Sequence, residues 1–293
     1  MATNLYQTVT DQILANLEAG TVPWVKPWAA TAGKNMPHNA ATGRPYSGAN
    51  VIVLWMSAHG RFSSPRFLTY KQAADLGGHV RKGERGHTVV FVKPMTGKKN
   101  EETGEQGRGF TMMRAYTVFN VDQCDDLPAT TLNPEPVKAR HDDMRDATIE
   151  EFIAATGANF SETGGDRAFY QTAADAVRMP TFDSFKSAAL FYSTAFHELG
   201  HWTGNAARLD RQFGKRFGDQ AYAAEELVAE LTSAFLCAEF NINGNLQHAD
   251  YVANWISLLK ADSKAFFTAA SAAQKAADFM RQAVLAAEMP MAA

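Results

Sequence analysis

Cysteine is scarce in this 293-residue chain: only Cys124 and Cys237 occur, far apart and neither in a CxxC pair. That excludes a disulfide framework and a thiolate metal centre, so any ion must be held by histidine and carboxylate. The two thiols are expected to be buried in a reducing cytoplasm. No run of eighteen apolar residues occurs, and the first twenty residues, MATNLYQTVTDQILANLEAG, have neither a basic head nor an uninterrupted apolar core. Secretion, membrane spanning and a membrane partner are therefore not expected. Internal repeats and low-complexity tracts are also missing. What remains, 46% hydrophobic and 20% charged residues, describes a soluble globular chain long enough for two domains.

The formal charge of −3 conceals an asymmetry. Residues 1–125 carry 14 Lys and Arg against 9 Asp and Glu, a net +5, while the remainder carries 14 against 22, a net −8. Different partners or tasks for the two parts are implied. The segment LYQTVTDQILANLEAG spaces Leu5, Val9, Ile13, Leu14 and Leu17 as an amphipathic helix that stops at Gly20. HTVVFVKP and GFTMMRAYTVFNVD read as a hairpin joined by a polar, Gly-rich excursion over residues 95–109. A stretch with three prolines and no apolar period follows, so residues 126–143 are expected to link a domain of residues 1–125 to one of residues 144–293. The second domain is expected to open with a helix from about Met144 to Thr156, pass through a strand pair around RAFYQTAADAVRMP and finish in helices. The fold class is α+β.

FHELGHWTG, residues 196–204, poses the central question. On a helix His197 and His201 lie one turn apart on one face, and Glu198 points about 100° away, toward the open side of a shared ion. A stop at Gly204 and Asn205 suits such a helix. Catalytic zinc needs a third protein ligand and a water. Downstream, DQAYAAEELVAELTSAFLCAEF reads as a helix that Asp219 could cap, with Leu227, Leu231, Ala234 and Phe235 on its apolar face and Glu226, Glu230, Ser233 and Cys237 on an adjacent stripe. Glu226 is the expected ligand and Glu225 the next candidate, with Glu230 one turn on to accept the outer N–H of a ligating histidine. The bland alternative is that these glutamates decorate a solvated helix start. Gly200, costly in a helix, suggests close approach of another backbone. Tyr170, Tyr192 and His248 are the candidates for stabilising an oxyanion.

In the basic part, aromatic rings and cations interleave: Trp24, Lys26 and Trp28 in a proline-rigid loop, Arg44 and Tyr46 in the next, then Tyr70 with Lys71, and Arg81, Lys82 and Arg85 in a Gly-rich turn. Single strands are bound by this mixture, because rings stack on bases while cations follow phosphates. Each element alone also has a packing or solvation explanation; only their coincidence points to nucleic acid.

The histidine pair followed 25 residues later by Glu226 in ExxAE resembles the gluzincin-like metallopeptidases. That resemblance implies His197, His201 and Glu226 as ligands of one divalent ion, zinc by preference, and Glu198 as general base. Glu230 stands where those enzymes carry a shorter Asp or Asn. Over nearly the full length, LYQTVTDQILANLEAGTVPWVKPW, NAATGRPYSGANVIVLW, FLTYKQAADLGGHVRKGERG, MPTFDSF, FHELGHWTG and AEELVAEL resemble the ArdC-type antirestriction proteins of conjugative plasmids. The resemblance implies a bacterial cytoplasmic protein with an N-terminal single-stranded-DNA-binding domain and a C-terminal zincin-like metallopeptidase domain. It implies protection of incoming plasmid DNA from host restriction, with a restriction-system protein or peptide as a further partner. The alternatives are a zinc protease of a regulatory protein and a DNA-binding protein whose ion is structural.

Overall fold

A computed structural model describes residues 5–25, 36–95, 110–132, 144–243 and 249–288. Helix α1 (Leu5–Glu18) buries Val9, Thr10, Ile13, Leu14 and Leu17. Gly20, at φ +74°, turns the chain away from its end, as a residue with no Cβ can. Strand β1 (His38–Asn39) is followed by α2 (Ala49–Ala58), whose run VIVLW is wholly buried. Next come β2 (Arg66–Leu68), α3 (Tyr70–Asp75), opened by a capping box of Thr69 and Gln72, and β3 (His79–Val80). The expected hairpin is β4 (His87–Met95) against β5 (Phe110–Asn120), in register from His87 opposite Val118 to Met95 opposite Phe110. Most of the polar excursion joining them lies outside the described residues. The sheet runs β1-β2-β5-β4, and β6 (Cys124–Asp125) pairs separately with β3.

Helix α4 (Ala129–Leu132) occupies the start of the proline-containing stretch, and residues 133–143 are outside the described set. Helix α5 (Ala147–Ala155) begins where the Asp146 side chain accepts from the N–H groups of Thr148 and Ile149. Strands β7 (Asn159–Glu162), β8 (Phe169–Gln171) and β9 (Ala176–Met179) form a sheet in the order β7-β9-β8, which contains the expected strand pair. Helices α6 (Ala188–Trp202), α7 (Gly214–Phe217), α8 (Ala221–Glu239), α9 (Ala249–Ala261) and α10 (Ala265–Glu288) complete the fold. Asp219 does not cap α8. It lies in a 3₁₀ turn, Gly218–Gln220, that feeds straight into the helix, and Gln220 before α8 makes no side-chain cap bond.

The architecture is α+β, an N-terminal mixed unit and a mainly helical C-terminal one. Their largest hydrophobic core is shared: Ile13, Ile52 and Trp55 pack with Leu227, Leu231 and Phe235 of α8 and with Trp255 of α9. Trp55 meets Phe235 edge to face at 6.3 Å between centroids. A second cluster, built on α5, β9 and α6, supports the other side of the helical unit. Both cysteines are buried and free. No helix among the described residues is long and apolar enough to cross a membrane.

Candidate metal centre

Helix α6 starts where the Ser187 hydroxyl accepts from Leu190 N–H at 3.2 Å, and it runs fifteen residues to Trp202. That length carries His197, Glu198 and His201 deep into the molecule, against α8. Gly200 makes the approach possible: a Cβ built there would lie 3.0 Å from Ala229 Cα. The contact answers the question raised by a helix-weakening glycine at this position.

The packing places Glu226 of α8 opposite both histidines. Nε2 of His197 and Nε2 of His201 are 3.1 Å apart, and each is 3.5 Å from a Glu226 carboxylate oxygen. Ligand atoms of the three residues all lie within 4.8 Å of one another. Four ligands at about 2.1 Å around a tetrahedral ion are separated by roughly 3.4 Å, so the observed edges suit a divalent ion without rearrangement of the helices. The outer nitrogens support the same reading. Nδ1 of His197 faces Glu230 at 3.6 Å and Nδ1 of His201 faces Glu225 at 3.4 Å, so each outer nitrogen has a carboxylate behind it while both Nε2 atoms face Glu226.

Electrostatics bind the cluster together before any ion enters. Burial opposes charge on Glu226, yet the two imidazoles outweigh it and hold the carboxyl well below its ordinary range. Burial likewise opposes protonation of His201, but Glu225 and Glu226 prevail and raise it to about 9; His197 is raised by Glu226 and Glu230 against the same penalty. Glu225 is itself kept ionised, since His201 and Arg211 overcome its burial. Arg211 donates to both Glu225 oxygens, to Gly200 C=O at 2.6 Å and to Thr203 Oγ1 at 2.6 Å, tying the end of α6 to the start of α8. The sequence reading held Glu225 as a reserve ligand. The structure instead sets it behind His201.

A cleft of about 760 Å³ opens onto these groups, lined by His197, Glu198, His201, Glu226, Tyr170 and Tyr222 among others. Of the expected oxyanion candidates, Tyr192 is buried, and its hydroxyl is committed to Asp146 N–H and Glu150 at 2.8 Å each. Tyr170 lines the cleft but donates to Asp175 at 2.8 Å while accepting from Asn205 at 2.9 Å. His248 lies outside the described residues. Tyr222 was missed. It stands one turn before Glu226 on the same helix face, the spacing that signals it, and its hydroxyl lies 3.0 Å from that of Tyr251 at the mouth of the cleft. Although most of its side chain is exposed, partial desolvation in the cleft, the Tyr251 hydroxyl and the Glu226 charge raise its pKa.

Residues 147–272 match the family model of the zincin-like metallopeptidases, and residues 3–119 match that of the N-terminal domain of anti-restriction factor ArdC. The metal-free crystal structure of the antirestriction protein ArdC from plasmid R388 is 40% identical, with a TM-score of 0.83 and coverage of 97% of this chain and 98% of that one. The chain belongs to the ArdC antirestriction family. The Mn(II)-bound structure of R388 ArdC is also similar, at a TM-score of 0.77, 40% identity and coverage of 96% and 98%. A protein of Sinorhizobium fredii, y4eC, described as uncharacterized, is 37% identical over 95% of this chain and 92% of its own length. The DNA primase TraC of Escherichia coli is 38% identical over 94% of this chain, which spans 27% of that primase.

The ArdC N-terminal unit distributes the expected DNA contacts unevenly. Trp24 is not available to a base: it is 3% exposed, edge to face with Trp255 at 5.2 Å, and its Nε1–H is bonded to Glu230. Tyr46 is half-buried, packs against the core and meets Phe67 at 6.4 Å, so its ring is a packing element too. The correction at Trp24 has a clear cause, an aromatic ring finding partners on helices distant in sequence. Lys26 and Trp28 lie outside the described residues. Arg44, Tyr70, Lys71, Arg81, Lys82 and Arg85 are exposed. Asn39 holds the Arg44 carbonyl with its N–H and bonds Gln72 of α3 at 3.0 Å, tying the Arg44 turn to α3, where Lys71 pairs with Asp75 at 2.8 Å. Arg81 turns instead to Asp125, Glu84 and the Asp122 carbonyl.

Proposed function

We propose that this ArdC-family protein binds single-stranded DNA through its N-terminal unit, carries a peptidase-competent zinc site in its helical unit, and protects incoming conjugative plasmid DNA from restriction in the bacterial cytoplasm. The observation that carries the peptidase reading is the convergence of His197, His201 and Glu226 on one point, with Glu198 lining the same open cleft. An ion that only braced a fold would sit in a closed set of four ligands, whereas here three ligands face a cleft.

His197, His201 and Glu226 would hold the ion, whose chemistry is to acidify a bound water and polarise a carbonyl. Glu198, on the open side, takes the water proton and delivers it to the departing amine nitrogen. Tyr222 donates its hydroxyl hydrogen to the oxygen that gains charge at the attacked carbonyl. A restriction-system protein or a peptide segment of one is the substrate class that connects this chemistry to antirestriction.

For DNA, the supports are the net +5 of residues 1–125 and the exposed group of Arg44, Tyr70 and Lys71. Transfer of a plasmid into restricting and non-restricting recipients, with wild type and Glu198→Gln supplied, tests the whole reading. Protection by wild type that is lost in Glu198→Gln supports hydrolysis as the means. Full protection by Glu198→Gln would leave DNA binding as the means, and no protection by either would contradict the proposal.

A further inference from the structure

Glu230 is a carboxylate with 3% exposure, and each of its oxygens has a nitrogen beside it. Oε2 faces Nδ1 of His197 at 3.6 Å, and Oε1 accepts from Nε1–H of Trp24 at 3.1 Å. Trp24 lies 206 positions away and belongs to the other unit. An indole N–H can only donate and a carboxylate oxygen accepts, so the direction of this link is fixed by chemistry.

The described residues between α1 and Trp24 are firmly seated. Thr21 N–H bonds Asn16 C=O at 2.9 Å at the end of α1, Pro23 is buried, and the Trp24 ring is locked against Trp255 of α9. The indole therefore has little freedom, and neither has the carboxylate it holds. We infer that Trp24 is a positioning residue of the metal centre: acting through Glu230, it fixes the imidazole of His197, so the helical unit depends on the N-terminal unit for full affinity for its ion. A carboxylate that can rotate orients an imidazole poorly, and loss of such an outer partner typically weakens an ion site about 10- to 100-fold. Trp24 belongs to the core shared by α1, α2 and α8, and its N–H extends that core to the carboxylate behind His197.

This inference rests on His197, His201 and Glu226 being the ligands, and the test separates the two. Full-length protein is titrated with Mn(II), the free ion being read by electron paramagnetic resonance. The proteins are wild type, Trp24→Phe, Glu230→Gln, the double variant, Trp255→Phe and His197→Ala, and circular dichroism of each metal-free protein checks its fold. Trp24→Phe keeps a ring in the core and removes the N–H. It is expected to bind about tenfold more weakly, and the double variant no more weakly than Glu230→Gln alone, because Trp24 acts only through Glu230. Trp255→Phe keeps an aromatic ring against Trp24 and leaves the Trp24 N–H on Glu230, so it controls for a ring change in the same core and should bind as wild type does. Trp24→Phe binding within about twofold of wild type would overturn the inference. So would an equal loss in Trp255→Phe, or single losses that simply add. Should Trp24→Phe not fold, Glu230→Gln carries the test, and wild-type affinity there breaks the chain at its middle. Retention of Mn(II) by His197→Ala would instead remove the ligand assignment, and this inference with it.

Discussion

Gly200 of α6 and Ala229 of α8 stand so close that a Cβ on the glycine would lie 3.0 Å from the alanine Cα and 3.4 Å from its carbonyl oxygen. The neighbour is backbone in the middle of a buried helix and has little room to give. This contact sets the distance across which His197 and His201 meet Glu226.

Gly200→Ala should therefore destabilise the protein, although alanine is the better helix former. The propensity gain is about 1 kcal/mol, against an overpacking cost of about 1–3 kcal/mol. Parting the helices should also weaken the ion site. Thermal unfolding with and without metal checks both, and a more stable variant with unchanged metal response would contradict the packing argument.

Glu225→Gln should keep the fold and weaken the ion about tenfold, because it removes the carboxylate behind Nδ1 of His201. Were Glu225 itself a ligand, the variant would lose the ion outright. Calorimetric titration with zinc distinguishes the two.

The pH dependence of the metal-free protein follows from His201, raised from 6.5 to about 9. Its stabilising contribution is fully present below about pH 6.5 and is lost as pH rises through about 9. An entering ion must displace that proton, so affinity should climb across this window and level above it. The thermal stabilisation conferred by metal should accordingly grow from pH 6.5 to 9. A flat or falling response would contradict the sign.

Single-stranded DNA should depend on Tyr70, an exposed ring at 62%, and on Lys82. Tyr70→Ala is expected to lose about 1–3 kcal/mol of binding if the ring stacks on a base. Lys82→Gln should flatten the salt slope by somewhat under one unit, the signature of one phosphate contact. Fluorescence anisotropy of a labelled oligonucleotide at several salt concentrations measures both. Equal preference for duplex, with neither variant impaired, would reject the assignment.

Local pattern made part of this molecule legible. The stripe of α1, the β4–β5 hairpin and the one-turn spacing of His197 and His201 are set by contacts within a few residues or by a fixed helical period. Glu226 could be nominated because a second helix with a carboxylate stripe is also a local signal. The task of Trp24 could not be read, because its partner lies 206 residues on and proline neighbours make a core tryptophan look like a loop one. Glu225 was ambiguous for a related reason: Arg211, which pairs with it behind His201, arrives from a loop with no period of its own. Tyr222 was within reach, since its spacing puts it on the face of Glu226, but spacing alone does not show that this face opens on a cleft.

The metal content of purified wild type, His197→Ala, Glu226→Ala and Glu198→Gln, measured side by side by elemental analysis, tests the ligand assignment most directly. About one equivalent of a divalent ion is expected in wild type and in Glu198→Gln, since Glu198 lines the cleft and is proposed as the base and not as a ligand, and none in the two ligand variants. Undiminished metal in His197→Ala, or its loss from Glu198→Gln, would contradict the account.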